Sequence, residues 1–212
     1  MKKGFIVEKF EGFIRIQTGG SAGKKALLFH GYGGCKEEML KLGLALADFG
    51  IDSELYDLPG HGDRKDYFSL KDVEEFLKGI KKEGSYFLGI GHSIGARLIC
   101  EVPCRRYMLL SPPLDAKFEG SKKELLRNLR VRRVKEKKPF QGLEEILTTL
   151  KVPELTKGCA VVFYSFSDLK SVQMFVERVK EKTQCICVKD SFHLDIVTSP
   201  EVTSFISELL KK

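Results

Sequence analysis

Apolar residues recur along this chain in two alternating rhythms. Runs such as 25–30, 51–57, 86–90, 107–110, 160–166 and 184–189 are nearly continuous and end at glycine, proline or polar residues. Between them, Met39, Leu42, Leu46 and Phe49, and again Val73, Phe76, Leu77 and Ile80, repeat every three to four positions. The first rhythm fits strands buried on both faces, the second helices with one apolar side. Helices are therefore expected over 37–49, 70–82, 93–101, 170–182 and 199–210, the last with Ser199 as its cap and Pro200 in its first turn. At the front of the chain, Phe5, Val7 and Phe13 around Glu11-Gly12 predict a β-hairpin. Strands alternating with helices predict an α/β fold, a mostly parallel, doubly wound sheet forming one domain over residues 1–212.

Residues 114–157 interrupt that alternation. Ser121–Lys137 carries Leu125, Leu126, Leu129 and Val134 on one helical side, and Leu143–Leu150 reads as a second short helix before Pro153. Helices inserted where a core strand ends lie at the sheet edge where ligands bind. A short helical cap or lid is the expectation.

Composition narrows the class. No apolar run approaches the roughly 18 residues of a membrane span. Behind the charged start Met1-Lys2-Lys3, Glu8 and Lys9 interrupt the apolar stretch that a signal peptide needs. A cytoplasmic protein with no integral membrane association is expected. The six cysteines are scattered, with neither a C-x-x-C pair nor a cysteine–histidine cluster at zinc spacing, so no metal is expected. The formal charge of +7 is concentrated in residues 115–138, which hold ten Lys/Arg against four Asp/Glu. That surplus reads first as a solvated helix face, and second as attraction for an anionic substrate or lipid surface. No recognition motif accompanies it, and no nucleic-acid partner is expected.

The chemistry centres on Gly91-His92-Ser93-Ile94-Gly95, set between the apolar strand Tyr86–Ile90 and the helical run from Ala96. A serine flanked by glycines in a strand–turn–helix context reads as a nucleophile elbow, where the turn is too tight for side chains two residues either side. The serine needs a base and an orienting acid. His92 adjoins Ser93, and neighbouring side chains diverge on such a turn. His30 and His61 sit in loops after earlier strands, where shaping the loop is the simpler role. His193 follows the last core strand and is the expected base. Asp168 ends the strand Val161–Phe166 and is the expected acid, with Asp115 as the main rival and Asp190 a weaker one. Backbone N–H groups of Ile94 and of Tyr32, in the turn His30-Gly31-Tyr32-Gly33-Gly34, are the expected oxyanion donors.

Taken in order, His30-Gly31-Tyr32-Gly33, Asp57-Leu58-Pro59-Gly60-His61-Gly62, Gly91–Gly95, Ser167-Asp168-Leu169 and His193 span nearly the whole chain. This set resembles the α/β-hydrolase superfamily, in particular serine esterase- and lipase-like members with a small cap. The resemblance implies that fold and hydrolysis of a small-molecule carboxylic ester through an acyl-enzyme on Ser93, with no cofactor. It leaves as alternatives a thioesterase or amidase acting on an anionic acyl substrate. A different class, a non-catalytic member that uses the pocket to bind a ligand or partner, also stays open.

Overall fold

The computed structural model describes residues 4–19, 23–116, 133–156 and 158–211. Its eight strands are β1 (Phe5–Phe10), β2 (Phe13–Thr18), β3 (Lys25–Phe29), β4 (Asp52–Tyr56), β5 (Tyr86–His92), β6 (Cys104–Leu110), β7 (Ala160–Ser165) and β8 (Gln184–Val188). They form one sheet in the order β1-β2-β4-β3-β5-β6-β7-β8. From β4 to β8 every neighbouring pair is parallel; β2 runs antiparallel to β4, and β1 returns on β2 as the expected hairpin. The described helices are α1 (Leu40–Asp48), α2 (Leu70–Lys82), α3 (Ile94–Ile99), α4 (Gln141–Thr149), α5 (Lys170–Val179) and α6 (Pro200–Lys211). None of them is long and apolar enough to cross a membrane.

The continuous apolar strands follow from burial on both faces. Leu27, Phe29, Leu109 and Val162 point into a core shared with α2, α3, α4 and α5. The alternate residues Ala26, Leu28, Met108 and Val161 point the other way, into a core shared with α1 and α6. The period of two puts successive side chains on opposite faces, and helices cover both. Helix ends obey the same local rules. Ser69 accepts a bond from Asp72 N–H to cap α2, and Ser199 accepts one from Glu201 N–H at the start of α6.

Several boundaries move from expectation. The stretch expected as one helix over 37–49 opens with a 3₁₀ turn, Lys36–Met39, before α1. β6 begins at Cys104 instead of Tyr107, because pairing of Tyr86 with Cys104 extends the ladder through two arginines that a hydrophobicity reading leaves out. Of the helix expected over 121–137, residues 121–132 lie outside the described residues, and 135–137 are irregular. The second expected helix of the insertion is α4.

Candidate active site

The parallel strands all end on one side of the sheet, and each hands a different residue to the same place. β5 delivers Ser93. Its backbone sits at φ 51° and ψ −120°, a conformation that L residues rarely adopt. Sterics hold it there. A Cβ on Gly91 would lie 2.5 Å from Ala96 Cα, and one on Gly95 would lie 2.6 Å from Phe29 O. The glycine spacing is therefore what lets α3 close onto β3 and β5 and lift the serine hydroxyl.

Ser93 Oγ lies 3.1 Å from Nε2 of His193, and Nδ1 of His193 lies 2.7 Å from Oδ1 of Asp168. A carboxylate only accepts, so Nδ1 carries the proton and Nε2 is left to accept from the serine. The three side chains expected to work together thus meet in one line. Such a line can take the hydroxyl proton onto Nε2 while Nδ1–H stays on the carboxylate. The two rival acids point elsewhere: Asp115 accepts from Ser171 Oγ at 2.9 Å, and Asp190 is exposed.

Asp168 is 2% exposed, and both of its oxygens accept hydrogen bonds. Oδ1 takes Leu169 N–H at 2.8 Å besides His193; Oδ2 takes Ser111 Oγ–H at 2.5 Å and Ser165 N–H at 3.0 Å. Burial pulls its carboxyl upward, but His193, Ser111 and Ser165 outweigh that and hold it below its ordinary value. Ser111 follows β6 directly, in Ser111-Pro112-Pro113, where residue type alone gives no sign of a role. Its signal was conformational: it has φ 48°. Among the described residues only Ser93, Ser111 and Phe140 combine a side chain with a positive φ, and all three belong to this site. Backbone strain of this kind persists where surrounding structure over-determines it.

The other histidines brace the loops. Nε2 of His92 donates to the carbonyl of His193 at 2.7 Å, so the residue beside the serine fixes the main chain of the expected base. His30 accepts from Leu58 N–H on Nε2 at 3.0 Å and donates from Nδ1 to Gly31 O at 2.7 Å. His61 donates to Pro59 O at 2.8 Å. Lys36, 1% exposed, adds a second tie between the loops after β3 and β4: its Nζ reaches Asp57 at 2.7 Å and Asp63 at 2.6 Å, while its N–H meets Asp57 at 2.7 Å. Burial lowers the Lys36 ammonium, yet the two carboxylates more than offset it and leave it above its ordinary value.

These ties set the turn at residues 30–34 against the serine. A Cβ on Gly31 would come within 3.2 Å of Ser93 Cβ. Tyr32 lies in the wall of the same space, its ring stacked at 5.5 Å on Phe140, and its hydroxyl donates to Glu136. Burial first, and then Glu136, raise the Tyr32 phenol. Ile94, the other expected oxyanion donor, is the first residue of α3. The space over Ser93 measures about 20 Å³ and is otherwise walled by apolar side chains, among them Pro113, Leu143, Leu169 and Leu194. Among the described residues no group of three or more His, Cys, Asp or Glu is placed to hold a metal ion.

Known proteins share this architecture. A carboxylesterase from the ammonia-oxidizing thaumarchaeon Nitrososphaera gargenis superposes with a TM-score of 0.66 at 14% identity, over 98% of this chain and 99% of that one. A monoacylglycerol lipase from Paleococcus ferrophilus gives 0.66 at 16% identity, over 98% and 96% of the two chains. The thioesterase domain of the curacin biosynthetic pathway gives 0.59 at 17%, over 98% and 99%. At such identities the likeness is one of fold. Comparison with curated protein sequences gives no match. The profile of the alpha/beta hydrolase family matches residues 26–172, well over half of the chain. The chain belongs to the alpha/beta hydrolase family.

Proposed function

We propose that this protein is a serine hydrolase that cleaves carboxylic esters through an acyl-enzyme on Ser93. The observation that carries the reading is the unbroken line from Ser93 Oγ through both ring nitrogens of His193 to Asp168. In this reading His193 Nε2 takes the serine proton as Oγ attacks the ester carbonyl. Asp168 keeps the ring in the right tautomer and stabilises the imidazolium. The N–H groups of Ile94 and Tyr32 receive the developing oxyanion, and imidazolium Nε2 returns its proton to the departing alcohol. Water then attacks the acyl-enzyme with His193 again as base, releasing the carboxylic acid and restoring the serine hydroxyl.

The apolar wall over Ser93 favours an apolar acyl group. In the same reading, residues 114–157 act as a cap, since Phe140 and Leu143 of that insertion supply part of the wall. The test is labelling with a small fluorophosphonate beside a panel of esters of rising acyl length. Wild type is expected to take one label and turn over esters; Ser93→Ala is expected to take none and to lose about 10⁴-fold or more in kcat. Full activity in Ser93→Ala, or a wild type inert to probe and panel alike, overturns the proposal.

A further inference from the structure

Arg97 lies on α3, four residues beyond Ser93, and is 1% exposed. A guanidinium keeps its charge at any physiological pH, and burying one is costly unless its donors are met. Burial does pull it below its ordinary value. Among the described residues no carboxylate lies within ion-pairing distance of it. Its hydrogen-bond partners among the described residues are four main-chain carbonyls, all met by Nη1 and Nη2 while Nε–H finds none. Nη1 donates to Pro113 O at 2.7 Å and Leu114 O at 2.9 Å; Nη2 donates to Leu150 O at 3.0 Å and Lys151 O at 3.1 Å. The first pair marks where the chain leaves β6, and the second where it leaves α4 on the way to β7. The second pair also lies at the C-terminal end of α4, where the helix dipole favours a cation. The ring of Phe175 lies 5.8 Å from Cζ on a further side.

We infer that Arg97 is a positioning residue that staples both ends of the insertion to the helix carrying Ser93, and so sets how large an acyl group the site admits. This rests on the reading of Ser93 as the nucleophile. Pro113 stands in the staple and in the wall of the pocket at once. Phe140 and Leu143 lie on the stretch that the second pair of bonds anchors. The described space over Ser93 is small, so the positions of Pro113, Phe140 and Leu143 set how much room an acyl chain finds. Two fixed ends limit how far those positions shift. A lysine keeps the charge but has one nitrogen, and cannot grip both segments with a planar fork.

The test compares wild type, Arg97→Lys and Arg97→Met on p-nitrophenyl esters from acetyl to octanoyl. The ratio of octanoyl to acetyl kcat/KM is expected to rise about fivefold or more in both variants. Labelling of Ser93 by a small fluorophosphonate is expected to stay within about threefold of wild type. Tryptic cleavage after Arg133, Lys135 or Lys137 is expected to accelerate by more than the accompanying fall in Tm accounts for. If all esters slow by one common factor and the ratio stays flat, Arg97 serves general stability only and the inference falls. Should Arg97→Met fail to fold, Arg97→Lys decides alone. An inert wild type overturns the hydrolase reading instead, and the proteolysis comparison still judges the staple.

Discussion

The turn that carries Ser93 and the described part of the insertion between β6 and β7 face each other across a space of about 20 Å³, and they are held by different means. At the turn, main chain meets main chain. Gly91 and Gly95 leave no room for a single added carbon, and Ser93 is pinned between a strand and a helix. The described part of the insertion is tied down by polar contacts at separate points: Arg97 at its two ends, Glu136 on Tyr32, and Lys135 paired through its backbone with Gly60 and Phe68. Close packing responds to change abruptly, whereas a hydrogen bond contributes only about 1 kcal/mol net and responds by degrees. The reacting atoms are thus fixed by main-chain contact, whereas the described part of the insertion adds a few adjustable bonds to the apolar packing of Phe140, Leu143, Ile146 and Leu147.

The sharpest way to break this contrast is Gly95→Ala. Its methyl group would press on the carbonyls of Phe29 and His30, which cannot rotate away. We expect a loss of about 3 kcal/mol in urea unfolding. Displacement of Ser93 should cost at least about a hundredfold in kcat/KM. A fully active Gly95→Ala would mean that the turn is as pliable as the insertion.

Ser111→Ala probes the support behind the chemistry. It removes the hydroxyl donor from Asp168 Oδ2 and should cost about 1–3 kcal/mol at neutral pH, with kcat falling more than KM rises. The pH dependence has a definite sign. Asp168 is held below its ordinary value, so its contribution to stability is complete above the unfolded-state pKa of about 3.9 and is lost as pH falls through the lower folded value. Part of that depression comes from Ser111, so the gap between variant and wild type should narrow as pH falls below about 4, read as urea midpoints. A gap that stays constant with pH would show that Ser111 acts through packing alone.

Glu136→Ala is expected to have the smallest effect on kcat. It removes the acceptor of the Tyr32 hydroxyl and of the Phe140 and Gly142 N–H groups, lowering stability by about 1–3 kcal/mol and touching the chemistry least. The KM of longer esters should change a few-fold at nearly constant kcat. A hundredfold loss of kcat would put Glu136 in the chemistry and dissolve the distinction between the two regions.

What could be read from the chain alone divides along the same boundary. Strand runs, helix faces and the glycines around Ser93 are short-range signals, since each records what a residue's immediate neighbours permit. The order Ser93, Asp168, His193 was legible because parallel strands deliver successive loops to one edge. Arg97 was not legible. Its charge on a helix reads as solvent-facing, and its partners are backbone carbonyls, which leave no trace in residue type. Lys36 was hidden for a similar reason, because Asp57 lies 21 residues away and only folding makes them neighbours. His92 was legible only negatively, as a poor base. Its bond to the His193 carbonyl spans 101 residues.

The three positive-φ side chains carry a further consequence for the protein's history. Strained residues of this sort each cost the fold about 1–3 kcal/mol, against a total stability that for most domains is only about 5–15 kcal/mol. Glycine relieves such strain without moving the chain, so Ser93→Gly favours the backbone and removes the hydroxyl, whereas Phe140→Gly also gives up the burial of a core ring. Under the proposed function, selection for heat tolerance alone would therefore favour a sturdier Ser93→Gly descendant that lacks its nucleophile.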